Sequence, residues 1–363
     1  MKNINSFFLA LSLLCCSFAV SCKQGDGPEY VLPKFEKEIA REFELIGPEL
    51  DYYLCHIHSY GDYLILDAYD MRTNQFLHIW DKKTGEIIHS TAREGRGPGE
   101  LLFRPVVSRV GHECYLYDRQ QDVTQVYDLD KVLQGENGYL WTLLETVNTF
   151  TIGVYHGPDD RALIFSNDTF LQRDSSRTVT RIVLEKDAER YAYNEYPVPD
   201  RERTWAMYMT TPFLTISPDF TKMVIAPAYG GILERFDLSD GISLLGVDKF
   251  VEPDFDVKGG MADFSAERPL PICFTGFAAT NDRFFAAMDE KGAWWIGGND
   301  SREGHMTVVG IFDWEGHPLM RIRNSRHIES LAYDEEEGVL YAVLSDADNV
   351  LHIGRMDLGD LTL

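Results

Sequence analysis

From about residue 40 onward the chain is a succession of short apolar runs rich in Val, Ile, Tyr and Phe, each bounded by Gly, Asp, Asn or Pro. No stretch sustains the i, i+3, i+4 spacing of an amphipathic helix, so the pattern predicts strands joined by turns. One signature recurs. An apolar pair or near-pair followed by an acidic residue occurs as Ile79-Trp80-Asp81, Val126-Tyr127-Asp128, Val183-Leu184-Glu185, Arg235-Phe236-Asp237, Ile311-Phe312-Asp313 and Arg355-Met356-Asp357. The acidic positions are spaced by 47, 57, 52, 76 and 44 residues. Six copies at that period suit four-stranded sheets set radially round an axis.

Two further strands precede each copy. The middle ones fall at Tyr63–Ala68, Cys114–Asp118, Ala162–Ser166, Met223–Ala226, Phe284–Met288 and Val339–Leu344. The innermost ones fall at Tyr52–His58, Pro105–Val110, Phe150–His156, Pro212–Ser217, Ile272–Ala279 and His327–Tyr333. Tight turns such as Ser59-Tyr60-Gly61-Asp62 and Ser217-Pro218-Asp219 join them. The sixth copy ends near Leu358 with no room for a fourth strand, while Arg41–Ile46 alternates polar and apolar without a blade of its own. This segment either supplies the missing outer strand, closing the ring and removing an exposed edge, or lies on the surface. The expected fold is therefore all-β, a six-bladed β-propeller over residues 40–363 with its last blade closed by an N-terminal strand.

Alternating chain direction puts the connections between strands two and three, and from strand four to the next blade, on one face. The long connections, 91–104, 167–177, 197–210, 248–271 and 289–305, are of those kinds, and Leu129–Gly138 is the exception on the other face. Loops on a rigid scaffold carry function, so binding is expected on the long-loop face.

Composition narrows the partners. Of 363 residues 44% are hydrophobic, ample for a large core, and Asp+Glu 58 against Lys+Arg 34 gives a net charge of -24. Such a surface repels phosphate backbones, so nucleic acid is not an expected partner.

Residues 1–22 read as an address. Lys2 precedes an apolar run from Phe7 to Val20 that is too short for a stable span, and small residues lead into Cys22. The ending Ala19-Val20-Ser21-Cys22 resembles a bacterial lipobox with Ala19 where leucine is usual; the alternative is an ordinary secretory signal. A lipid on Cys22 implies membrane attachment through residues 23–39 as a polar tether. Cys55, Cys114 and Cys273 are too few and too spread for a disulfide framework and read as buried apolar side chains.

Candidate chemistry sits in three loops. Arg93–Glu100 carries Arg96 and Glu100 among Gly95, Gly97 and Gly99, with Arg104 just beyond. Its charges either meet a carboxylate or sugar, or lock two blades together. The loop lacks a Gly-Lys-Ser/Thr ending, so phosphate binding has weak support. Arg203 and Trp205 form an aromatic–guanidinium platform. Trp294 and Trp295, between glycines, form either a binding wall or a plug over the channel. His56 and His58 alternate onto one face of an innermost strand and are weak metal candidates, lacking an identifiable third ligand. Asp334–Gly338 reads as a solvated hairpin turn.

Together, the stretch Gly95, Gly97, Pro98, Gly99, Glu100, Leu101, the lipobox and the six-fold pattern resemble the TolB-like six-bladed β-propeller lipoprotein family of Bacteroidetes. The resemblance implies that fold and an envelope location, expected at the outer membrane; no catalytic residues can be carried over from it, and no cofactor is expected. The expected function is binding of a glycan, peptide or protein partner without catalysis. The alternatives are a metal-dependent hydrolase or lyase at the channel mouth, and a scaffold in an envelope complex.

Overall fold

The computed structural model describes residues 33–361 apart from 53–54, 145–150, 167–180, 198–206, 208–211, 228–229, 252–255, 259–260, 264–271 and 294–306. Six sheets, each in simple up-and-down order, make a six-bladed propeller. Blade 1 runs, inside to outside, His56–Tyr60, Tyr63–Asp70, Gln75–Asp81 and Glu86–Glu94. Blade 2 is Val106–Val110, Glu113–Asp118, Val123–Asp128 and Tyr139–Leu144; blade 3 is Thr151–His156, Ala162–Ser166, Ile182–Lys186 and Glu189–Tyr193. Blade 4 is Phe213–Ile216, Lys222–Ala226, Gly231–Asp237 and Ser243–Val251; blade 5 is Ile272–Ala279, Arg283–Ala293, Thr307–Asp313 and Pro318–Arg323. Blade 6 takes His327–Asp334, Val339–Ser345 and Leu351–Asp357 from the C-terminus and Glu44–Leu50 from the N-terminus.

The apolar runs are continuous where a half-exposed strand would alternate, and the packing explains why. Each blade is covered on both faces, so successive side chains enter different interfaces. Leu64 and Leu66 pack against Ala332, Tyr341 and Val343 of blade 6, whereas Ile65 between them packs against Leu116 and Val107 of blade 2. An apolar cluster fills every one of the six blade interfaces. Each fully buried Leu, Ile or Phe there contributes about 1.5–3 kcal/mol relative to exposure.

The recurring acidic residue also has a cause. It ends strand three and turns its carboxylate onto the free N–H groups of the following turn. Asp81 accepts from Lys83 N at 2.8 Å and Thr84 N at 2.9 Å, Asp237 from Ser239 N at 2.8 Å, and Asp313 from His317 N at 2.8 Å. Asp128 does the same for a short helix, α1 (Leu129–Leu133), which fills the one long connection on the tight-turn face. Glu185 departs from the rule, pairing instead with Arg190 at 3.0 Å.

The N-terminal strand closes the ring as expected, antiparallel to Leu351–Asp357 with Glu44 opposite Arg355 and Ile46 opposite Ile353. Ahead of it the structure adds a strand inside the expected tether. Lys37–Ala40 pairs in parallel with Pro318–Arg323 on the rim of blade 5. Glu36 N–H donates to Pro318 O at 3.2 Å, next to the turn 314–317, so the chain joins the propeller beside the tight-turn face. Ion pairs fix this strap: Arg41 to Asp360 at 2.7 Å, Glu44 to Arg355 at 2.8 Å, and Glu38 to Arg321 and Arg323.

Some expectations change. The insertions placed at 248–271 and 289–305 begin later, because strands reach Val251 and Ala293. Backbone pairing carries these strands past the end of the apolar pattern, as where Asp289 pairs with Thr307. Asp334, expected in a solvated turn, is buried at the seam between blades 6 and 1, accepting from Lys82 Nζ at 2.5 Å and Ser59 Oγ at 2.6 Å. Cys55, Cys114 and Cys273 are buried and form no disulfide with one another, and burial pushes the Cys114 thiol up to about 12. Among the described residues no helix is long and apolar enough to cross a membrane.

Candidate functional site

The described strand ends that flank 95–105, 167–181, 194–212, 252–271 and 294–306 all lie on one face of the ring, as the alternation of chain direction requires. The opposite face carries turns of a few residues and α1.

At the long-loop mouth of blade 1 stands a charged set built on one buried carboxylate. Asp67 is fifth in the apolar run Tyr63–Asp70 and is 2% exposed. Arg104, arriving from the connection between blades 1 and 2, grips it: Nε lies 3.2 Å from Oδ1, and Nη2 lies 3.2 Å from Oδ2 and 2.9 Å from the Asp67 carbonyl. His56, opposite Asp67 in the strand register, brings Nδ1 to 3.6 Å from Oδ2 and leaves half its imidazole in solvent. Burial raises the Asp67 carboxyl, but Arg104 and His56 outweigh it and hold the group down at about 2. The arrangement presents an oriented imidazole at the rim while fixing Arg104 internally.

His56 and His58 share a strand face as expected, but that face looks toward blade 2 and not down the pore. A radial sheet stands edge-on to its axis, so side chains alternate between neighbouring blades. Ile57 packs with blade 6, whereas His58 lies opposite Ile65, which packs with Val107 and Cys114. Burial pushes His58 down to about 4 against the pull of Asp67. Among the described residues no group of three or more His, Cys, Asp or Glu side chains is placed to hold a metal ion.

The Arg93–Glu100 loop folds onto itself. Glu100 and Leu101 run parallel to Arg93 and Glu94, and Gly95 N–H donates to Leu101 O at 2.9 Å. The Glu100 carboxylate turns inward to accept Gly97 N–H at 2.7 Å. A Cβ on Gly95 would lie 2.1 Å from that carboxylate, and one on Gly99 would lie 2.8 Å from the Tyr139 ring. The glycines are therefore required by close approach. Tyr127 donates to Gly99 O, and Gln121 and Gln125 reach Glu100 O at 3.2 and 3.3 Å, so the loop locks blade 1 to blade 2. This lock is made by neutral side-chain donors of blade 2 on backbone carbonyls of the loop, where the sequence suggested ion pairs. Arg96 stays exposed.

Arg203, Trp205, Trp294, Trp295 and Cys22 lie outside the described residues. Among the described residues Ile152, Phe165, Tyr196, Pro212 and Ile225 line a small recess over Arg181. Arg181, entering from the connection in blade 3, forks onto Glu234 of blade 4 at 2.8 and 2.5 Å, with the Tyr196 ring 4.4 Å away. Asp67 and Glu234 were both missed from sequence. The available signal was a lone carboxylate inside an apolar strand, which must find a cation when buried.

A ring of six blades with one built-up face defines a β-propeller of the kind that presents loops round a central mouth. Among solved structures the chain is similar to a member of the DUF4221 family from Bacteroides vulgatus, with TM-score 0.52 and 11% identity over 87% of this chain and 96% of that one. It is also similar to U3-55K, with TM-score 0.51 and 12% identity over 91% of this chain and 100% of that one. At such identities the likeness shows the fold. No protein-family model and no curated protein matches the chain.

Proposed function

We propose that this chain is an envelope lipoprotein, anchored through Cys22, that binds a glycan, peptide or protein partner at the long-loop mouth and performs no catalysis. The observation carrying this reading is that the strand ends flanking the long connections and the His56–Asp67–Arg104 set share one end of the ring. A buried, doubly gripped carboxylate holds the rim rigid, which lowers the ordering cost of binding. The Gly-x-Gly-Pro-Gly-Glu-Leu loop supports kinship with TolB-like propeller lipoproteins. The entry of the chain beside the tight-turn face supports an orientation in which a tether from Cys22 leaves the long-loop face pointing away from the bilayer.

The test has two arms. Cys22→Ala should move the protein from the membrane to the soluble fraction; a chain that fractionates unchanged removes the anchor. A thermal-shift screen against acidic sugars, neutral oligosaccharides and peptides should yield a stabilising ligand, worth ~2.7 kcal/mol at a hundredfold excess over its dissociation constant. Persistence of the same shift in His56→Ala, Arg96→Ala and Trp205→Ala would remove the long-loop mouth as the site.

A further inference from the structure

A contiguous strip on the long-loop face, spanning blades 1 and 2, carries cations and exposed apolar side chains in a molecule that is otherwise strongly acidic. Arg93, Arg96 and Arg119 are exposed, and among the described residues none of them forms an ion pair. They lie on one continuous track. Glu94 N–H donates to Asn74 O in the adjacent turn of blade 1, the loop then runs to Glu100, and Gln121 in the adjacent turn of blade 2 reaches Glu100 O. Arg119 stands over the Phe103 ring at 5.5 Å.

The carboxylates along this track are turned to donors within the fold. Glu100 accepts Gly97 N–H, Glu94 accepts the Tyr69 hydroxyl at 2.6 Å, and Asp118 is fully buried, accepting Gln120 N–H at 2.8 Å. The guanidinium groups therefore face solvent, while these carboxylates keep their charge but are held by other donors and form no ion pair with them among the described residues. Beside them Phe103 is 45% exposed, Met71 81% and Leu144 81%. Met71 sits in the turn next to Asn74, and Leu144 pairs with Val123, the residue after the Arg119–Asp122 turn.

We infer that this strip docks an acidic segment of a partner protein, one with apolar side chains between its carboxylates. The inference rests on the long-loop face being the binding face and names the partner chemistry there. Arginine forks match carboxylates bidentately, and exposed Met, Leu and Phe have partners in a peptide that a glycan lacks. A net charge of -24 opposes acidic partners elsewhere on the surface, so the strip also fixes where such a segment lands.

The experiment measures fluorescence anisotropy of a labelled peptide alternating glutamate with leucine and phenylalanine, titrated with the full chain in detergent. Saturable binding that weakens with salt is expected, with loss of ~10-fold or more in the Arg93→Glu/Arg96→Glu/Arg119→Glu variant, whose three reversed charges repel the carboxylates of the peptide. Phe103→Ser should weaken binding without changing its salt dependence. The same peptide with lysine for glutamate should not bind. No binding of the acidic peptide, or equal binding by the triple variant, overturns the strip. Binding that survives the triple variant but is lost in His56→Ala overturns the strip and leaves the long-loop face standing. Loss only on Arg109→Glu, on the tight-turn side, overturns both. Direct binding of labelled polygalacturonate that the triple variant loses, with no binding of the peptide, replaces the protein partner with an acidic glycan.

Discussion

Gly47 and Gly85 meet backbone to backbone. A Cβ on Gly47 would lie 2.3 Å from the Gly85 carbonyl oxygen, and one on Gly85 would lie 2.8 Å from the Gly47 Cα. Both residues hold positive φ, +71° and +70°. The contact seats the N-terminal strand of blade 6 against the outer turn of blade 1, beside the buried Trp80, and so sets how tightly the ring closes. Gly47→Ala combines a backbone clash with a left-handed conformation that a Cβ resists. It is expected to cost about 2–4 kcal/mol, read as a lower urea midpoint with an unchanged m-value. An unaltered midpoint would mean the strap does not hold the ring shut.

Arg104 and Asp67 provide the second prediction. Truncating one partner of a buried pair leaves the other uncompensated, so Arg104→Ala is expected to cost about 3–5 kcal/mol. Replacing both, as Asp67→Leu with Arg104→Met, removes the stranded charge and should recover most of that loss. The chemical-denaturation cycle for the two singles and the double measures this. If the double is as unstable as Arg104→Ala, the pair is not what holds the connection between the blades.

The architecture was readable because its causes are local. In five of the six blades the third strand ends in a carboxylate that satisfies the following turn, Asp81, Asp128, Asp237, Asp313 and Asp357. That requirement prints a period on the sequence. The strand Lys37–Ala40 was not readable, because parallel pairing on an outer edge uses backbone groups that any residue owns. The site was readable in part. Arg96, Glu100 and Arg104 stood out by composition, yet their fates diverged through contacts distant in sequence. Arg104 is spent on Asp67, Glu100 on its own loop, and Arg96 is left in solvent. Asp67 and Glu234 were passed over because an isolated carboxylate in a strand reveals its partner only in three dimensions.

The inward turn of Glu100 separates a structural from a ligand-binding role. Glu100→Gln keeps an oxygen for Gly97 N–H and should be close to neutral. Glu100→Ala leaves that N–H without its partner and should cost about 1–2 kcal/mol. Thermal denaturation of both variants is the measurement. Equal destabilisation by Gln and Ala would show that the negative charge matters, and would return Glu100 to the set of residues that meet a ligand or cation.

Acid should weaken the protein in two windows, one of buried histidines and one of held-down carboxylates. The folded pKa of His58 is pushed down to about 4 by burial, below the ordinary value of about 6.5. Between those limits the unfolded chain binds the proton that the folded one refuses, so stability falls as pH drops from about 6.5 toward 4, by up to about 3 kcal/mol. Asp67 is held down at about 2, against about 3.9 when unfolded. Its contribution is present in full above 3.9 and is lost as pH falls from there toward 2, by about 2–3 kcal/mol. Urea midpoints across pH should therefore decline in two steps. His58→Gln should reduce the upper step, to which His78, also lowered by burial, contributes, and leave the lower one; Asp67→Asn should lower stability throughout and reduce the lower step, which it shares with Asp70, Asp237 and Asp334. A single decline below pH 4 that His58→Gln leaves unchanged would place the His58 imidazole in contact with water and remove it from the packed face toward blade 2.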